Sequence, residues 1–152
     1  MDVTLTWHEA QTAAVTGITR RIRAKARART EVYGSPKTDP WAIDIEAACA
    51  ERAAAKATGC YWNQEVDPDY PGDVGVWQVR HTPRADGCLI LHERDSDESV
   101  FILVTGTMPT YRVCGWITAH EGKQPAHWRE DTGRPAFFIP QAALRPMEEL
   151  AP

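Results

Sequence analysis

The chain has 152 residues, of which 43% are apolar and 25% are charged, and its formal net charge is −4. These values are typical of a soluble globular protein with one domain, or one domain and an appended segment, and the net charge does not favour nucleic acid as a partner. No apolar stretch approaches the roughly 18 residues of a membrane span, and no signal peptide is visible, so we expect a cytoplasmic protein without a membrane partner. The four cysteines include no C-x-x-C pair, which makes a zinc site unexpected and fits a reducing compartment.

The N-terminal third predicts a short strand and a helix. The strand falls in Val3–Trp7, and the Ala- and Arg-rich stretch His8–Arg29 favours a helix. A break follows in "YGSPKTDP", Tyr33–Pro40. We therefore divide the chain into an appended segment, residues 1–33, and a main domain, residues 39–152. Three apolar residues of the first helix follow helical spacing: Val15, Ile18 and Ile22.

A second helix is predicted from Pro40 to Thr58. Asp39 is a suitable N-cap, proline is favoured at the first helical position, and Gly59 is a typical C-terminal signal. The helix carries a stripe of small residues that allows close packing on a sheet. The stripe consists of Ala47, Ala50, Ala54 and Ala57.

The rest of the chain predicts strands. Four runs rich in β-branched and aromatic residues cover residues 76–82, 88–93, 99–105 and 110–118, and short turns separate them. Short connections predict one sheet with antiparallel sequential neighbours. A last strand, "AFFIP", and a short helix, "QAALRPMEEL", end the chain. The predicted class is α+β, with a curved, mixed, largely antiparallel sheet flanked by helices.

A group of polar residues has the composition of a divalent-metal site. Mg²⁺ takes oxygen ligands in an octahedral arrangement and keeps several waters. Asp73 stands at a strand start in "GDVGVWQVRHT", and Gln78 and Arg80 share one face of that strand. Glu51 supplies a carboxylate from the preceding helix. Together with the Val79 backbone oxygen, these groups predict a metal site, with Arg80 facing a scissile phosphate.

These residues lie in an order that resembles the PD-(D/E)XK nuclease superfamily. The stretches "AERAAAKATGCYWN", "GDVGVWQVRHT" and "FILVTGTMPTYRVCGWI" carry the resemblance over roughly residues 45–117, and they are similar to small nuclease-like proteins of bacteriophages. The resemblance implies a restriction-endonuclease-like fold and Mg²⁺-dependent or Mn²⁺-dependent cleavage of DNA. It matches Glu51 to the helix acid and Asp73 to the motif aspartate.

Two positions depart from the superfamily pattern. Gln78 stands where the superfamily usually has Asp or Glu, and Arg80 stands where it usually has Lys. A glutamine oxygen can bind a metal but brings no charge. An arginine keeps its positive charge but cannot become a neutral base. The motif is therefore degenerate.

The first helix also contains an uninterrupted basic run. Six cations and no acid lie between Thr19 and Thr30, although mixed charges would stabilise a solvated helix better. This pattern favours phosphate contacts, so we expect DNA as a partner. The predicted nucleic-acid-binding residues are Arg20, Arg21, Arg23, Lys25, Arg27 and Arg29.

Alternatives remain open at each position. Asp73 lies between glycines, which is also typical of a turn. Gln78 and Arg80 are also compatible with an exposed strand face. Glu51 is also compatible with a solvent-exposed position on a helix. The basic run is also compatible with plain solvation. Three functions follow: a metal-dependent DNA endo- or exonuclease, a catalytically inactive nucleic-acid-binding module with the same fold, and a phage protein that binds a host or phage protein. A homodimer is compatible with all three.

Overall fold

The fold has three layers: two helices, a four-stranded sheet and a smaller three-stranded sheet. The structure is a computed structural model that describes residues 1–27, 39–64, 72–131 and 133–150. It contains helices together with a mixed sheet and an antiparallel sheet, so the α+β class is confirmed. The end of the predicted basic helix, including Arg29, lies outside the described residues.

The two long helices begin and end where their capping residues stand. Helix α1 spans Trp7–Ala26, and Thr6 and Glu9 form a capping box at its start. Helix α2 spans Pro40–Thr58; Asp39 accepts a hydrogen bond from the backbone of Trp41, and Gly59 ends the helix with φ 72°. The caps predicted for α2 are therefore confirmed.

Within the described residues, seven strands form two sheets. The main sheet has the order β1-β5-β4-β2, and the second sheet has the order β3-β7-β6. A short helix, α3 (Ala119–Gly122), follows β5. The strands are β1 Asp2–Thr4, β2 Gln78–Thr82, β3 Leu89–Leu91, β4 Val100–Thr107, β5 Thr110–Thr118, β6 Trp128–Arg129 and β7 Ala136–Ile139.

The prediction of one sheet with antiparallel sequential neighbours is confirmed for β4 and β5 and wrong for the two earlier pairs. Strand β2 pairs with β4 in parallel, and β3 pairs with β7 in the second sheet. Leu89 and Leu91 of β3 are fully buried in a separate core with Ile139. Burial of these leucines places β3 in the second sheet. The chain segment that contains β3 is therefore the crossover connection that a parallel β2–β4 pair requires.

Each face of the main sheet has its own core. Val79, Ile102 and Val104 pack on the helix side together with the alanines of α2. Phe101 and Leu103, which alternate with them along β4, pack toward the second sheet. Ala50 and Ala54 are fully buried, as the small-residue stripe predicts.

The N-terminal end forms the predicted strand and helix, and the C-terminal end differs from its prediction. Strand β1 is an edge strand of the main sheet, and α1 packs on α2. The division into residues 1–33 and 39–152 stays a prediction. The predicted C-terminal helix is two 3₁₀ turns, Gln141–Ala143 and Met147–Glu149, because Pro146 cannot continue a helix. None of the helices within the described residues has the length and apolarity that crossing a membrane requires.

Candidate functional site

A tight turn before β2 positions Asp73. The backbone of Asp73 donates to the Trp77 carbonyl at 2.8 Å, and Val74 and Trp77 exchange hydrogen bonds across the turn. Gly75 has φ +58°, which a residue with a side chain rarely adopts, so this turn requires glycine there. Asn63 pairs with the turn: its backbone donates to the Asp73 carbonyl at 2.8 Å and its amide donates to the Gly72 carbonyl at 3.2 Å.

The Asp73 carboxylate caps the exposed edge of the main sheet. Its Oδ2 accepts a hydrogen bond from the backbone of Val79 at 2.8 Å. Among the described strands, β2 is the last of the sheet on this side, so the Val79 N–H binds the Asp73 carboxylate and not a neighbouring strand of that part of the chain. Asp73 therefore has the structural role of a turn residue, and it also holds its charge close to the helix layer.

Glu51 lies buried at the contact of α1, α2 and this turn. Its side chain receives two hydrogen bonds from the Arg20 guanidinium, at 2.6 Å and 2.8 Å, and one from the Trp62 indole at 3.1 Å. The residue is only 6% exposed. The interpretation of Glu51 as a solvated helix residue is therefore wrong, because three donors hold it inside the protein.

Burial and neighbouring charges shift the pKa values of both carboxylates. Burial, followed by the charge of Asp73, raises the pKa of Glu51 from its ordinary 4.5 to about 7, although Arg20 and Trp62 oppose the shift. Burial also raises the pKa of Asp73, while the Val79 N–H and the charges of Arg20 and Arg80 lower it. Burial works against the charged form of Arg20, yet the hydrogen bonds and charge of Glu51 raise its pKa. The cluster is thus two crowded acids and one permanent cation.

Gln78 and Arg80 lie on the other face of β2. Val79 packs on the helix side, so its neighbours along the strand point toward the second sheet. The Arg80 guanidinium lies 4.7 Å from the centre of the Phe101 ring and forms an ion pair with Asp95 at 3.2 Å. The predicted convergence of Gln78 and Arg80 with the two carboxylates is therefore wrong, because strand alternation separates them. Arg80 acts on Asp73 through its charge alone.

The cations of α1 divide into two groups. Arg20 binds Glu51, and Arg21 binds Asp44 at 2.7 Å, so neither guanidinium stands free for phosphate as predicted. Lys25 lies over the Trp41 ring at 5.1 Å. The two remaining residues of the run within the described part of the chain, Arg23 and Arg27, are exposed and follow Arg20 along the same side of the helix.

The cluster offers two carboxylates to a metal. Within the described residues, no group of three or more His, Cys, Asp and Glu side chains is arranged to hold a metal ion. Mg²⁺ is commonly held by one or two carboxylates together with waters and substrate phosphates. Glu51 and Asp73 as its ligands stay a prediction. The Val79 carbonyl as a further ligand stays a prediction.

Sequence reasoning missed the partners of Glu51. Arg20 is predicted to bind DNA, and no role is predicted for Trp62, which also donates to Glu51. A usable signal was present in α1, where Ala13, Thr16 and Gly17 are buried and Arg20 continues their side of the helix. An arginine at the end of a small-residue face favours an internal ion pair.

Comparison with known proteins found no matching family model, no similar curated protein and no similar solved structure. The resemblance to the PD-(D/E)XK superfamily therefore stays a prediction that rests on the residues themselves.

Proposed function

We propose that this protein is a divalent-cation-dependent nuclease that acts on DNA. The observation that supports the proposal is the placement of Glu51 beside the turn that carries Asp73: Trp62 donates its indole N–H to Glu51 and its backbone is bridged to Val74, the neighbour of Asp73. The charge of Asp73 contributes, after burial, to the raised pKa of Glu51. Neighbouring acids repel each other, and a bound divalent cation would relieve that repulsion further than Arg20 does alone. Mg²⁺ is commonly held by one or two carboxylates together with waters and substrate phosphates.

The basic side of α1 supports DNA as the substrate. Arg23 and Arg27 are exposed and continue from Arg20, which contacts the carboxylate cluster itself. A DNA strand that follows these cations would bring a phosphate toward the two acids. Such contacts bind and orient the backbone without reading its sequence.

Each residue of the cluster has a separate task in this proposal. Glu51 and Asp73 would hold Mg²⁺ or Mn²⁺, and the ion supplies a water of lowered pKa and neutralises charge on the phosphate. The Trp62 indole fixes one Glu51 oxygen, and the Val79 N–H fixes one Asp73 oxygen. Arg20 keeps the two acids compatible with the folded state before a cation binds.

The test is cleavage of plasmid and branched DNA with Mg²⁺, with Mn²⁺ and with a chelator. The proposal expects cleavage that requires the ion and that is lost in Glu51→Gln and Asp73→Asn. Asp44→Asn is the matched control, because Asp44 is another ion-paired carboxylate on α2. Cleavage that survives both acid variants would show that the activity lies elsewhere or comes from a contaminant.

A second candidate is a DNA-binding module without catalysis. The placement of Gln78 and Arg80 on the far face of β2 favours it, because no strand residue completes the carboxylate pair. Under this alternative the protein binds DNA, neither ion produces cleavage, and Arg23→Ala/Arg27→Ala lowers the salt slope of binding by about one per lost phosphate contact.

A further inference from the structure

An open groove adjoins the carboxylate cluster on its outer side. Its volume is about 440 Å³, which lies within the roughly 300–1,000 Å³ of small-molecule sites. Trp62 forms part of its wall and donates its indole N–H to Glu51, so one side chain separates the groove from the cluster. The groove is lined by His8, Thr12, Arg52, Tyr61, Trp62 and Gln64, with Glu9 and Cys60 beside them.

Tyr61 presents an exposed aromatic ring from a fixed backbone. The side chain is 72% exposed, while its carbonyl accepts a hydrogen bond from Gly75 at 2.8 Å and the next residue, Trp62, is buried and bridged to Val74. The backbone that carries the ring is thus part of the turn that positions Asp73. An aromatic ring held in this way loses little further entropy when a flat ligand stacks on it.

The groove has cations at its edge that suit a nucleotide: Arg52 lines it, and Lys56 lies next to the lining through its ion pair with Glu9. Glu9 is the acid of the groove, and it is neutralised by Arg52 at 2.9 Å and Lys56 at 2.7 Å. Thr12 and Gln64 add hydrogen-bonding groups of the kind that contact base edges. Aromatic stacking with a few polar contacts and a cationic rim is how proteins bind unpaired bases.

We infer that this groove holds an unpaired base, stacked on Tyr61, and that the substrate class is therefore single-stranded DNA or DNA with an unpaired segment. In a duplex the bases are stacked and paired, so they cannot enter a groove unless they are extruded. The inference rests on the proposed function, because it places the base next to the cluster assigned to the phosphodiester.

The test compares a labelled oligothymidylate with a duplex of equal length, by fluorescence anisotropy in chelator, so that binding is measured without cleavage. Stacking of one base predicts that Tyr61→Ala weakens single-strand binding by about tenfold and duplex binding by less than about twofold. Tyr61→Phe should keep the wild-type affinity because its ring still stacks. Met108→Ala is the control for an exposed apolar side chain that does not line the groove.

Two further arms separate the failures. An oligonucleotide of abasic sites keeps the phosphates and should show no effect of Tyr61→Ala. If Tyr61→Ala loses the same affinity for single strand and duplex, or loses no affinity for either, the stacking site is wrong. If Arg23→Ala/Arg27→Ala still weakens the binding of both DNAs in that case, the proposal of DNA binding is supported and only the assignment of the groove fails. If wild-type protein binds neither DNA, the proposed function fails with it.

Discussion

Replacing Arg20 with methionine tests the carboxylate cluster most directly. Methionine keeps much of the length of the side chain but removes the two hydrogen bonds to Glu51, at 2.6 Å and 2.8 Å. Glu51 then faces Asp73 with only the Trp62 indole as a compensating donor. The variant therefore leaves an uncompensated acid in the interior.

The expected loss follows from burial of the pair. The side chains of Arg20 and Glu51 are 18% and 8% exposed, and removal of one partner from a buried pair costs about 3–5 kcal/mol. For a chain of this size that loss lowers Tm by roughly 10 °C. Because Glu51 can take up a proton when Arg20 is absent, the cost should be largest near about pH 8 and smaller near about pH 5.5.

The assay is thermal and urea unfolding of wild type and Arg20→Met, with and without Mn²⁺. A cation that binds the bare carboxylates should raise the Tm of Arg20→Met more than that of wild type, since it no longer shares Glu51 with a guanidinium. Arg21→Met is the control: it breaks the neighbouring ion pair with Asp44 and should leave the response to Mn²⁺ unchanged. Equal stability of the two variants and equal responses to Mn²⁺ would refute the reasoning.

Two other predictions follow from the same contacts. In wild type, the pKa of about 7 for Glu51, against its ordinary 4.5, means that folding binds a proton in this range. Stability should therefore fall by about 3 kcal/mol as the pH rises from about 5 to about 8. Asp73→Asn removes the repelling charge and keeps an oxygen for the Val79 N–H, so urea unfolding of this variant should show a flatter pH profile; an unchanged profile would argue against the coupling. Gly17→Ala places a Cβ 2.5 Å from the Asp44 carbonyl oxygen, so α1 and α2 must separate, and we expect a loss of about 1–3 kcal/mol by the same method. A variant as stable as wild type would show that this helix contact is loose.

Local patterns predicted the elements, but long-range burial determined their arrangement. The caps of α2 and the positions of β2 to β5 could be read from the sequence because they depend on neighbouring residues. The departure of β3 from the main sheet could not, since Leu89 and Leu91 show only that the strand is apolar and not which layer covers it. In α1 the apolar residues Val15 and Ile22 are more than half exposed, while a face of small residues packs on α2.

The site was predictable in its acids and not in its cation. Glu51 and Asp73 were identified from their residue type and position, and the charge of Asp73 contributes to the raised pKa of Glu51. Their role as metal ligands stays a prediction. Gln78 and Arg80 were assigned to the same cluster because they share a strand face, but the alternation that joins them also separates both from the helix layer. Which face meets the helix depends on Val79, and a single strand does not reveal which of its faces is covered.

The first helix belongs to the proposed chemistry because Arg20 is its contribution to the cluster. A guanidinium on Glu51 lowers the cost of keeping two acids together, and it also competes with any cation for the same oxygens. An ion held by two carboxylates, one of them shared with an arginine, binds weakly unless other oxygens complete its shell. A DNA phosphate guided by Arg23 and Arg27 is a source of such oxygens. The geometry therefore favours binding of ion and DNA together, so that Mn²⁺ alone should stabilise wild type weakly and Mn²⁺ with uncleavable phosphorothioate DNA should stabilise it by more than the sum of the two. Additive stabilisation, measured by thermal unfolding, would show that ion and DNA do not share this cluster.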